Sequence, residues 1–470
     1  MGQATGQHVT EAEIELFLSG HLKTPDLRRL VHHLTKCLQC RSLLRPKLSP
    51  LRTSMGPALA ELTRTAGQDI AYDAAIDRAV AKAKRQRPHW QKVTEWREQL
   101  ITLAEGRPIS RIDDVFQLFD GRQWKAPQWA YAEALLTLSY EARYTDPVAM
   151  EALAFAAATA AEGVENDKQA YKRYSKAQIA DLKVRAGGEL ANAYRRNYRF
   201  EQAEEVLLGA LDYFQREGTG DPLIHARLLD LLASLRLDQR QAGAALDLLD
   251  KVRRIYEEIG DRHLAGRALI SRGISIFYDG SPRESTSPLR EGLALLNPER
   301  DPNLFASGQF NLLAALVEAG EYVEASSVLM KSDLRQAFAD DPLNLLKLRW
   351  LEGKIFAGRG KMRRGEAILR EVQDGFLLRQ RQYEAAMVGL ELTAVLLRQG
   401  KTGDAEGAAA QALETFQALK INSEARKAVL YLREACRRKT ATAALAQTVL
   451  RFLQRLERDP SLRFLPQPLT

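Results

Sequence analysis

Two cysteines and two histidines crowd the nine residues HHLTKCLQC, positions 32 to 40, of a 470-residue chain that holds only three cysteines and seven histidines. Thiolate and imidazole are the ligands zinc takes in tetrahedral structural sites, and the C-x2-C spacing of Cys37 and Cys40 lets two thiolates close on one ion. His33 and Cys37 stand four apart and share a face if the segment is helical, whereas His32 points about 100 degrees away from His33. A fourth ligand is required. His8, ahead of the preceding helix, can arrive from the other side of a hairpin, with His21 and His32 as its competitors. The candidate set is His8, His33, Cys37 and Cys40, which would leave no open position for a catalytic water. A redox dithiol and ordinary packing are the other readings of Cys37 and Cys40. A thioredoxin-type pair needs a strand-to-helix setting that this segment lacks.

Two short helices must position these ligands. In EAEIELFLSG, Ile14, Phe17 and Leu18 recur at helical spacing and Gly20 can end the helix. The second opens with Thr24 as cap, Pro25 at the first helical position and Asp26 at the positive end; Leu27, Leu30, Val31 and Leu34 form its apolar face. So small a head encloses little core and needs a metal or a neighbour. H8VTEAEIELFLSGHL22 followed by H33LTKCLQC40 resembles the zinc-binding anti-sigma domain, with Ser19 and His21 departing from its usual acidic residues around the glycine. The resemblance covers about 40 residues. It implies one structural zinc and a partner among the extracytoplasmic-function sigma factors.

Leu, Ala, Arg and Glu dominate the chain and β-branched residues are sparse, so an all-α fold is expected. The 68 basic and 60 acidic residues give a net charge of +8, small against the total and not in itself a mark of nucleic-acid binding. Three cysteines fit a reducing compartment rather than a disulfide scaffold. The first residues lack the basic and apolar regions of a signal peptide, and the apolar stretch MEALAFAAATAA reads as about 12 residues, too short to span a bilayer. A cytoplasmic location is the expectation.

Residues 1–45 are read as the head, 46–125 as linker and connecting helices, and 126–465 as a repeat domain with a C-terminal cap. Within the connector, Arg78, Lys82, Lys84, Arg85 and Arg87 form a basic run that could meet phosphates, although a solvated helix end explains it as well. In the body, small residues recur at 203, 245, 285, 325, 365 and 405, spaced 42, 40, 40, 40 and 40 apart, each followed four residues later by an apolar one. Small residues let paired helices approach closely while Leu and aromatic side chains fill the seam. The pattern, clearest in GKIFAGRGKMRRGEAILREV, resembles tetratricopeptide repeats, lengthened from the usual unit. The resemblance implies an α-solenoid that holds a protein or peptide.

No phosphate loop, H-E-x-x-H, G-x-S-x-G or dinucleotide turn occurs, so no catalytic residues are assigned and a non-enzymatic protein is expected. Asn192, Arg195, Arg196, Asn311 and Lys354, on first helices of the repeats, could engage the backbone and carboxylates of an extended ligand, or stand as a solvated surface. The leading expectation is a regulatory adaptor with a zinc-stabilised head that binds a sigma factor. The alternatives are an assembly scaffold without a transcriptional role and a nucleic-acid-associated regulator. Metal analysis of the purified chain should find about one zinc per molecule, lost when Cys37 or Cys40 is replaced by Ser; reduced native protein without zinc would contradict the clasp.

Overall fold

The computed structural model describes residues 9–10, 12–13, 26, 29–30, 33, 89, 91–104, 106–119, 127–143, 146–168 and 170–465. They are overwhelmingly helical and contain no strand among the described residues. The chain divides into two compact units, Met1–Ala265 and Gly266–Thr470.

The first unit holds α1 (residues 91–104), α2 (Ile112–Phe119), α3 (Gln128–Ala142) and α4 (Pro147–Asn166). It continues through α5 (Lys176–Arg196), α6 (Phe200–Glu217), α7 (Pro222–Asp238) and α8 (Ala242–Ile259). The boundary falls inside α9 (Arg262–Asp279), whose partner is α10 (Pro282–Leu295). In the second unit follow α11 (Pro302–Glu318), α12 (Tyr322–Lys331), the one-turn α13 (Leu334–Ala337), α14 (Pro342–Gly358) and α15 (Met362–Leu378). The last four are α16 (Gln382–Arg398), α17 (Thr402–Ala418), α18 (Ser423–Arg437) and α19 (Ala443–Arg458). From α3 to α17 these helices form successive pairs of tetratricopeptide-like design, as the repeat spacing predicts.

One turn closes six of the pairs. Tyr198, Arg240, Gly280, Gly320, Gly360 and Gly400 each take a left-handed backbone, with φ from 60° at Tyr198 to 102° at Gly280. Each stands five residues before one of the recurring small residues. The amide after it bonds back five residues into the first helix: Gln241 N–H to Arg236 O at 2.8 Å, Glu321 to Leu316 at 2.8 Å, Lys361 to Phe356 at 2.9 Å. This hydrogen-bonded stop satisfies carbonyls that the helix end would leave open and sends the chain back antiparallel. Several helices then start alike. Asp146, Asp221, Asp301 and Asp341 each precede a proline and accept one or two amide hydrogens of the first turn, as Asp221 does from Leu223 at 2.8 Å.

The small residues serve the seam. Ala203, Ala245, Ser285, Ala325, Gly365 and Ala405 are all buried, and so are Leu207, Leu249, Leu289, Leu369 and Ala409 four positions on. The approach is close in the α9–α10 pair, where a Cβ on Gly273 would lie 2.5 Å from Leu289 Cγ. Leu329 is the exception: it is only half-buried, because α12 stops after ten residues and Leu334 of α13 fills that part of the core.

One expectation changes. The apolar stretch near Ala152 belongs to a 20-residue helix, α4, long and apolar enough to cross a membrane. Ten of its residues are buried against neighbouring helices, which is the pattern of a core helix. The terminal pair also departs from the repeat: α19 packs against α18 and across α16, burying Ala446, Val449, Leu450, Leu453 and Leu456.

In the head, Thr10 and Glu13 form a reciprocal cap, Thr10 N–H to Glu13 Oε2 at 2.9 Å and Glu13 N–H to Thr10 Oγ1 at 3.3 Å, and Glu13 pairs with Arg29. That ion pair links the two predicted helices. Leu30 is buried as its place on the apolar face requires.

Left-handed backbone is nearly free for glycine and costs other residues about 1 kcal/mol. A Cβ on Gly360 would meet nothing within 4 Å, so Gly360→Ala should lose about 1 kcal/mol through the backbone alone, and Arg240→Gly should gain a similar amount. Urea unfolding of the two variants checks both signs.

Candidate partner-binding surface

The repeat register places Arg185 of α5 and Arg227 of α7 at equivalent positions, 42 residues apart, with Asn192 and Ser234 likewise equivalent. These positions bridge first helix to first helix. Arg185 clasps Glu133 of α3 with two parallel bonds, Nη1 to Oε1 at 2.7 Å and Nη2 to Oε2 at 2.8 Å, while the Trp129 indole N–H donates to the same carboxylate at 3.2 Å. Burial pushes the Glu133 carboxyl up, but the Arg185 charge and these bonds outweigh it and hold it below the ordinary value.

One step along, Arg227 Nη2 donates to Glu189 Oε1 of α5 at 2.7 Å and Nη1 to Asp230 Oδ2 at 3.3 Å. Its guanidinium also lies 5.6 Å from the Tyr140 ring of α3. Asn192 is buried, at 5% exposure, and continues the chain of contacts. Its amide donates to Glu189 at 3.4 Å and its oxygen accepts from Arg195 Nη2 at 3.0 Å; Arg195 Nη1 in turn reaches Asp238 of α7 at 2.5 Å. Three helices thus share one network of planar groups held by charge-assisted hydrogen bonds and a cation–π contact.

The sequence-derived candidates divide. Asn192 and Arg195 meet in this network. Arg196 is exposed and belongs to no part of it. Asn311 donates to Ser307 O of its own helix at 2.8 Å. Lys354 sits in the second unit between two carboxylates, Glu318 of α11 at 2.5 Å and Glu391 of α16 at 2.7 Å. Burial lowers the basicity of its ammonium, yet the paired charges more than compensate and push its pKa up. Lys354 therefore joins three successive first helices. Glu133, Arg185, Glu189 and Arg227 escaped the sequence reading; the signal was the 42-residue register between Arg185 and Arg227.

Of the zinc ligands, His33 is a half-buried helical residue whose charge acts on Glu13. His8, Cys37 and Cys40 lie outside the described residues, as do Arg78, Lys82, Lys84, Arg85 and Arg87 of the basic run. Among the described residues no group of three or more His, Cys, Asp or Glu is placed to hold a metal. Cys436 is buried, its thiol pushed up to about 11 by burial and by Glu406.

No family model matches the chain, and no curated protein does. Among solved structures it is similar to a signal-transduction ATPase with a tetratricopeptide repeat sensor from Pyrococcus horikoshii, at 13% identity over 94% of this chain and 73% of that one, TM-score 0.48. It is similar also to a Rap protein complexed with competence and sporulation factor, at 12% identity over 71% and 88%, TM-score 0.47. A third is the apo form of the quorum sensor NprR from B. thuringiensis, at 14% identity over 75% and 99%, TM-score 0.44.

Beside the network, Asp181 of α5 accepts from the Thr219 amide at 3.0 Å and from its hydroxyl at 2.5 Å, pinning the turn that leads into α7. Burial raises its carboxyl from 3.8 to about 6, against the pull of the Thr219 bonds. A folded pKa above the unfolded one means that the native state holds the extra proton, so stability is greatest below about 3.8 and falls as pH rises to about 6. Wild-type unfolding midpoints should therefore drop relative to Asp181→Asn as pH is raised from about 4 to 6.5, with the difference flat above that. Parallel pH dependence of the two proteins would contradict the shift.

Proposed function

We propose that the chain is a non-enzymatic adaptor that binds a protein or peptide through the first helices of its first unit. The observation that carries this reading is the linked network from Tyr140 through Arg227, Glu189 and Asn192 to Arg195, which sets an aromatic ring of α3 and the Arg227 guanidinium of α7 beside the carboxylate, amide and guanidinium of α5. Guanidinium forks held by neighbouring helices are pre-oriented, so a ligand carboxylate or backbone carbonyl can exchange with a resident acid at little ordering cost.

The head extends the proposal. His8, His33, Cys37 and Cys40 would hold one structural zinc, and the stabilised head would offer a second contact, for which a sigma factor is the partner its resemblance suggests. The Thr10–Glu13 cap and the Glu13–Arg29 pair support a two-helix head, independently of the metal.

Co-purification of the full chain from its native cell, compared with Arg227→Gln and Arg195→Gln, tests the surface. Each substitution should weaken partner capture about tenfold while leaving thermal unfolding within a few degrees of wild type. Undiminished capture would overturn the assignment of the surface. A sigma factor that co-purifies with the wild type and is lost from Cys37→Ser would support the head's role.

A further inference from the structure

The turn between α14 and α15 concentrates positive charge that no carboxylate among the described residues pairs with. Arg359, Lys361, Arg363 and Arg364 surround the left-handed Gly360, and all four are exposed. Arg359 suits the negative end of α14. The other three crowd the positive end of α15, whose first turn holds no acid and whose cap residue, Lys361, makes no side-chain bond to it. Glu284 of α10, Glu324 of α12, Glu384 of α16 and Asp404 of α17 supply the favourable charge at the other starts.

We propose that this turn is a docking surface for a short acidic segment of a partner protein. The groups that hold its cations support this. Arg359 Nη1 donates to Ser326 Oγ of α12 at 2.8 Å, and the Phe356 ring holds Arg364 at 4.0 Å and Lys361 at 5.8 Å from its centroid. A hydroxyl and a ring face orient a cation without cancelling its charge. At equivalent turns the charge is cancelled. Lys401, forty residues after Lys361, pairs with Glu366 at 2.7 Å, and Arg283, eighty before Arg363, pairs with Glu321 at 2.8 Å. Carboxylates of a partner would therefore meet cations already in place and unneutralised. The charge is also confined to one turn. The pair before carries Ala319, Glu321, Val323 and Glu324 at the matching positions, and the pair after carries Gln399, Lys401, Gly403 and Asp404. A nucleic-acid backbone needs cations spaced along a longer path, whereas a peptide of a few residues fits one turn. Val323, 75% exposed on the helix that Arg359 reaches, adds an apolar contact suited to a protein. The surface lies apart from the first-unit network, and the proposal does not rest on it.

Anisotropy of a fluorescein-labelled oligoglutamate peptide, added to the full chain, tests the surface. The peptide should bind, less tightly as salt is raised, and Arg363→Glu with Arg364→Glu should weaken it about tenfold. The same change of charge at carboxylate-paired cations, Arg283→Glu with Arg370→Glu, should leave binding within about twofold of wild type. No binding by the wild type, undiminished binding by the first double variant, equal loss in both, or tighter binding of an oligothymidylate of equal length would each overturn the proposal. Thermal unfolding separates docking from folding. Because Arg363 stands at the positive end of α15, Arg363→Glu alone should raise the midpoint while it weakens peptide binding. A lowered midpoint would make the cations structural and overturn the proposal.

Discussion

Everything in the array depends on how closely two antiparallel helices can approach. A helix pair reaches contact distance only where one or both backbones carry a small side chain, and six pairs here meet that condition at the residue five beyond a left-handed turn. Turn and small residue recur with the same period because they solve one problem together. The turn reverses the chain, and the small residue lets the reversed helix settle. Long apolar side chains then fill the seams between pairs, and the first helices are left to face one another.

What the first helices show each other differs between the two units. In the first unit they present guanidinium and carboxylate groups, which pair across helices with the carboxylates largely covered. In the second, Lys354 draws Glu318 and Glu391 together, and on α16 the strip of Met387, Leu390 and Ala394 is apolar and buried. An apolar strip left in water would be costly, and α19 covers it. Removing Lys354 would leave two carboxylates facing each other uncompensated, so the cluster also holds α11, α14 and α16 in register.

Much of this was legible in the residues alone. The period of 40, the burial of Ala245, Leu249 and Leu369, and the all-α class follow from spacing and residue size, because a seam repeats whenever its packing problem repeats. The proposed partner surface was legible only in part. Asn192 and Arg195 were found as isolated polar residues on a first helix, but their links to Glu189 and Asp238 depend on how neighbouring first helices face each other. Asn311 and Lys354 looked alike in sequence; a serine one turn earlier ties up the first, and carboxylates 36 and 37 residues away hold the second. The path of α19 was hidden for the same reason, although the change from Lys347, Trp350 and Lys354 to Met387, Leu390 and Ala394 marked the place that needed cover.

If the character of that strip decides where α19 goes, giving α16 the residues of α7 should release it. In the full chain, Met387→Arg, Leu390→Asp and Ala394→Ser together should strip hydrogen-exchange protection from residues 443–458 while α14, α15 and α17 keep theirs. Protection of α19 that persists in the triple variant, or protection lost evenly from α14 through α19, would contradict the dependence of the terminal helix on the apolar strip.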